Sequence, residues 1–268
     1  MTSAMNGGMM MNLKKIAVIA VILLLAVISI TKIAPWAAAP ENHAHSIEQT
    51  DNKIATVMTL SGGAAGTSAT LSLLPGDMCT PIAEQLAELA KYFMLILSAL
   101  YLEKFMISLS GYIAFSFLIP AACIIVCVAI ASGKKNWYNI AGKIAFVGLI
   151  IFIIVPASVK LSDMVYQTQA ESVNNAVEEY NNLDIEGDNE GGFLSELTTL
   201  TSDTLDRVSS FLSSLLESLA VMIVTSCIIP VLVFVFLVWL VKTLFTSNIL
   251  TIDESALEKI KDKITMQK

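Results

Sequence analysis

The sequence predicts an all-α integral membrane protein with three to four transmembrane helices and long helical extensions, a helical hairpin, on its extracytoplasmic side. Three observations carry this. Apolar residues make up 55% of the chain and charged residues 15%, where soluble domains carry about 25% charged residues. Residues 106–131, 144–161 and 220–241 are apolar and uncharged through their interiors, close to or above the roughly 20 residues that span a hydrocarbon core about 30 Å thick. The charges that remain are segregated. The segments before residue 16, between the second and third spans and after residue 241 hold ten basic and four acidic residues, a net of +6, while the rest of the chain nets −13. Lysine and arginine bias orients membrane proteins, so the first set of segments is expected in the cytoplasm and the acidic remainder outside.

Residues 1–39 contain a shorter apolar run at 16–30 behind Lys14 and Lys15. It reads either as a retained signal anchor or as a secretory signal peptide, with Ala37-Ala38-Ala39 as the small-residue patch and Pro40 set against cleavage there. Residues 40–80 are expected outside, polar at first and then small and β-prone. Thr56 to Leu60 and Thr67 to Leu73 flank a glycine-rich stretch, which reads as two short strands or a flexible linker. His43 and His45 read as solvated loop histidines before metal ligands.

Residues 81–131 form a long predicted helix, with its transmembrane part at 106–131. Thr80 is a suitable N-cap, Pro81 fits the first helical position, and Glu84 and Glu88 complement the positive helix end. Residues 132–142 make a cytoplasmic turn, with Trp137 and Tyr138 placed for the interface. A transmembrane helix at 144–161 then extends outward within 143–181. Residues 182–192 form an acidic outer loop. A second long helix, 193–245, carries the last span at 220–241. The outer helices are expected to pack as a coiled-coil-like hairpin. Residues 246–268 form a cytoplasmic tail whose Thr251-x-x-Glu254 capping box opens an amphipathic helix.

An internal repeat is suggested at an offset of 110 residues, where I-x-x-S-x-x-I-P occurs at Ile113 to Pro120 and at Ile223 to Pro230. Each proline frees the carbonyl four residues back, and that residue is Ser116 or Ser226, whose hydroxyl is expected to help re-satisfy the backbone. Pro120, Pro156 and Pro230 are expected helix kinks.

Chemistry-bearing patterns are few. Neither a phosphate loop nor a nucleophile elbow is present, and two histidines in one loop give no basis for a catalytic triad. Asp184, Glu186, Asp188 and Glu190 alternate as in a calcium loop but miss the glycine and glutamate that an EF-hand requires, so they read first as a solvated turn. Cys79, the one cysteine outside the spans, is a candidate for an intermolecular contact; Cys123, Cys127 and Cys227 read as packing residues.

The expected function is therefore non-catalytic and cofactor-free. It is a scaffold or accessory subunit of a bacterial envelope complex of the secretion, conjugation or transport type, sited in the inner membrane. Its expected partners are the lipid bilayer and either itself or other membrane proteins, with no nucleic acid. The alternative is an oligomeric channel or transporter pore of proline-kinked hairpins, with Ser108, Ser110, Ser116, Thr225 and Ser226 along a weakly polar path.

Overall fold

A computed structural model describes residues 2–73, 79–133, 135–183 and 202–246. These residues fold as helices, and no strand occurs among them. Helix α1 covers Thr2–Ile28 and continues through a π-turn, Ser29–Ile33, into α2, Ala34–Ala38. A 3-10 turn, Pro40–His43, leads into α3, Ala44–Ser72. Helix α4, Thr80–Ile113, passes through a π-turn, Ala114–Leu118, into α5, Ile119–Ser132. Then come α6, Lys135–Thr168, and α7, Ala170–Asn182. Last are α8, Ser202–Ile223, a π-turn, Val224–Ile228, and α9, Ile229–Thr246. Four helical stretches are long and apolar enough to cross a membrane: Lys15–Ala38, Thr80–Ser132, Asn136–Thr168 and Asp206–Thr246.

Helix α3 corrects the expectation of short strands or a linker in residues 40–80. Its buried positions Ile54, Val57, Ser61, Ala64, Ser68 and Leu71 recur every three or four residues, the spacing of one helix face. The threonines that suggested strands turn their hydroxyls back onto the helix. Thr50, Thr56, Thr59, Thr67 and Thr70 each donate to the carbonyl four residues earlier, at 2.8–3.1 Å, an internal solution to hydroxyl burial.

Elsewhere the helix ends follow local chemistry. Ala83 N–H donates to Cys79 C=O at 2.9 Å, closing the first turn of α4 around Pro81. Gly133, in the left-handed region at φ 66°, ends α5 and returns its N–H to Ala129 C=O, a common helix C-terminus for which glycine carries no steric cost. Gln169 leaves helical geometry, at φ −122° and ψ 12°, and separates α6 from α7.

The chain divides into two compact units. Unit 1 comprises Met1–Asn42, Ser108–Val155 and Phe234–Lys268. Its buried residues are mostly small: Ala26, Ala34, Ala37, Ala114, Ala122, Ala129 and Ala141. Large apolar side chains such as Leu24, Phe117, Ile124, Phe234 and Trp239 face outward. Helix α1 packs on α5, and a Cβ at Gly111 would run into the Ala37 carbonyl, so only glycine permits that approach. Lys143 Nζ donates to Phe245 C=O at 3.2 Å near the end of α9, where a cation complements the helix dipole.

Unit 2 comprises His43–Ile107 and Pro156–Val233. Its core is built from large side chains, with Phe93, Phe211, Leu60, Leu86, Ile96, Leu100, Leu215 and Met222 fully buried. Tyr180 stacks on Phe211 with ring centroids 6.1 Å apart. Glu84, Glu88, Lys91, Glu171, Glu178 and Glu217 lie on its exposed surface.

All three π-turns share one cause. In each, the N–H after the turn reaches back five residues: Ala34 to Ser29, Ile119 to Ala114 and Ile229 to Val224. The next carbonyl in that register would need the N–H of Pro35, Pro120 or Pro230, and proline has none. The residues so deprived include Phe115 and Thr225. In unit 1, Ser29 Oγ donates to Phe115 C=O at 2.8 Å; in unit 2, Ser162 Oγ donates to Thr225 C=O at 2.6 Å. Two of the three proline-orphaned carbonyls, those of Phe115 and Thr225, are thus completed by a serine from another helix.

Candidate functional site: a buried lysine and its cavity

The inward stripe of α3 includes a charge. Lys53 is 3% exposed, although lysine is almost never fully buried without a partner. Its Nζ donates to Ser162 Oγ at 2.8 Å, and that hydroxyl in turn donates to Thr225 C=O at 2.6 Å. The ammonium lies 5.3 Å from the centre of the Tyr166 ring, within cation–π range. Among the described residues no carboxylate oxygen lies within 4.0 Å of Lys53 Nζ. Asp163 Oδ2 accepts from Gln49 Nε2 at 2.7 Å. Glu103 Oε1 and Gln49 Oε1 are buried without a hydrogen-bond partner.

Burial holds the Lys53 ammonium below its ordinary value of 10.5, against the opposing pull of the Glu103 and Asp163 carboxylates. Removal of an ion from water costs several kcal/mol even after relaxation, so one hydroxyl and one ring face leave this cation incompletely compensated. Nearby, Lys104 pairs with Asp51. Both of those side chains are more than a third exposed, where such a pair contributes little.

Beside Lys53 lies a cavity of about 310 Å³ lined by His45, Glu48, Gln49 and Asn52 of α3 with Asp163, Tyr166 and Gln167 of α6. Two consecutive turns of α3 present Gln49 and Lys53 to it, four residues apart, and Asp163 and Tyr166 do the same from α6 at a spacing of three. The cavity can offer an ammonium, a carboxylate, amides and a phenol to one small molecule.

The residues singled out in the sequence fall elsewhere or behave differently. Pro120 and Pro230 follow π-turns, while Pro156 lies inside the continuous helix α6. The role expected of Ser116 and Ser226 is corrected: both hydroxyls are buried without a partner. The π register displaces the orphaned carbonyl by one residue, to Phe115 and Thr225, where Ser29 and Ser162 complete it. Cys79, the candidate for an intermolecular contact, is 2% exposed and belongs to the unit 2 core. His43 is buried at 9% exposure, while His45 is exposed at the cavity rim. Asp184, Glu186, Asp188 and Glu190 lie outside the described residues, as does the amphipathic tail beyond residue 246. Among the described residues no three metal-ligating side chains converge.

Sequence reasoning missed Lys53 and Ser162. The available signal was the spacing of Lys53 with Val57, Leu60 and Ala64, which sets the lysine on the apolar stripe of a helix. No protein-family model matches this chain, and neither curated proteins nor solved structures show a significant similarity to it.

Proposed function

We propose that the protein is a non-catalytic scaffold or accessory subunit of a bacterial envelope complex of the secretion, conjugation or transport type. On this reading it sits in the inner membrane with its C-terminus cytoplasmic, and the helices of unit 2 stand on the outer side as its contact surface. One observation carries the reading. The outward face of α3 from Ala55 through Met58, Gly62 and Ala65 to Ala69 is exposed and uncharged, and a Cβ at Gly62 or Gly66 would meet nothing. Small residues of this kind let a second helix approach closely. Retention of the first apolar segment as an anchor is supported by the Ser29 donation to Phe115 and by the fit of Ala37 against Gly111, both of which cleavage would remove.

Photo-crosslinking from a reactive side chain at Ala65 in native membranes tests the contact surface. A covalent adduct to a membrane protein is expected at Ala65 and none at the charged position Glu88. Adducts at Glu88 alone would reject the reading. A membrane-impermeant thiol label in intact cells should modify Glu88→Cys and spare Asn136→Cys.

A second reading, an oligomeric channel or transporter, is favoured by the polar string Lys53, Ser162 and Thr225 inside unit 2. Ion flux through vesicles containing the purified protein, abolished by Lys53→Met, would support it over the first.

A further inference from the structure

The cavity beside Lys53 has unmet capacity of both kinds. Lys53 has three N–H groups, and Ser162 takes one. Asp163 is half-buried and, among the described residues, accepts the Gln49 amide at 2.7 Å, which leaves carboxylate lone pairs open. A simple anion drawn to Lys53 would also face the Asp163 and Glu48 carboxylates. A simple cation drawn to those carboxylates would face the ammonium. A molecule carrying both charges a few bonds apart meets neither penalty. Buried polar groups left unpaired are costly, and a ligand that completes them is selected by that cost. The volume, about 310 Å³, is at the small end of ligand sites.

We propose that this cavity binds a small zwitterion, its anionic oxygens on Lys53 and its N–H-bearing ammonium on Asp163. Two sources share that chemistry: a free α-amino acid, and the headgroup of an ethanolamine phospholipid. The ammonium must carry hydrogens, because the Asp163 carboxylate can only accept.

Titration calorimetry on the full chain in an uncharged detergent tests this with glycine and phosphoethanolamine. Their trimethylated counterparts, betaine and phosphocholine, keep both charges and lose the N–H donors. Acetate and methylammonium carry one charge each. At least one of the first two ligands is expected to bind about tenfold or more tighter than all four controls. Tighter glycine assigns the site to a free amino acid. Tighter phosphoethanolamine assigns it to the lipid, and bilayer discs containing phosphatidylethanolamine should then stabilise the protein more than discs containing phosphatidylcholine. Lys53→Met keeps the apolar stem and Asp163→Asn keeps the side-chain shape, so two independent variants test the poles. Each is expected to weaken binding about tenfold. The proposal is overturned if neither zwitterion binds, if betaine matches glycine and phosphocholine matches phosphoethanolamine, or if a folded variant binds like the unaltered chain.

Discussion

The two units of this chain solve opposite packing problems. Unit 2 buries Phe93, Phe211 and several leucines, and its surface mixes carboxylates with apolar residues such as Leu95, Leu102 and Phe105. Unit 1 buries alanines and Gly111 and exposes Leu24, Phe117, Phe234 and Trp239. Where the surroundings are as apolar as the side chains, burial of a large residue gains little, and close backbone approach through small residues holds helices together. The same chain thus changes from packing by size to packing by proximity.

Substitutions that exchange these logics sharpen the contrast. Phe211→Ala in unit 2 should have the largest effect, a loss of about 3–5 kcal/mol, read as a lower unfolding midpoint in mixed micelles by circular dichroism. Gly111→Val in unit 1 adds volume against the Ala37 backbone and should cost about 1–3 kcal/mol. Thermal denaturation of the same sample should show Phe117→Ala, at an outward position, nearly neutral by comparison. Ser162→Ala should cost about 1–3 kcal/mol, more than Ser29→Ala, since it strips both the Thr225 carbonyl and the Lys53 ammonium of a partner. Equal losses for the two serines would show that the lysine is not held through Ser162.

A pH dependence should separate the units further. Lys53 in the folded chain titrates below 10.5, so between its folded value and 10.5 the unfolded chain holds more protons. Unfolding free energy therefore rises with pH across that window, and the cost of the buried charge is fully present below it. Lys53→Met should abolish this slope, measured as the difference in stability between the two proteins from neutral pH to about pH 10. The smallest effect belongs to Gly62→Ala on the open face of α3. It should leave stability unchanged or raise it by up to about 1 kcal/mol, unless a bound partner helix occupies that face.

The long apolar helices are legible because an uninterrupted apolar run has few alternatives, and Pro120 and Pro230 mark two of the π-turns. Helix α3 was obscured by Gly62, Gly63 and Gly66 and by β-prone threonines, residues whose local preference tertiary packing overrides. Its heptad-like spacing from Ile54 to Leu71 was the stronger signal. The candidate site was illegible for a related reason. Lys53, Ser162 and Thr225 are separated by 109 and 63 residues, and nothing local to Lys53 distinguishes it from a solvated lysine until α3 is known to be a helix. An α register at each proline points to Ser116 and Ser226, and the single extra residue in the π-turn moves the need to their neighbours Phe115 and Thr225.

The serine-completed π-turns impose an order on assembly. Ser29 precedes Phe115 by 86 residues and Ser162 precedes Thr225 by 63. In both cases the hydroxyl leaves the ribosome before the carbonyl that requires it. At these two proline-broken turns the missing donor is therefore already synthesised, and neither carbonyl has to wait for a partner still to be made.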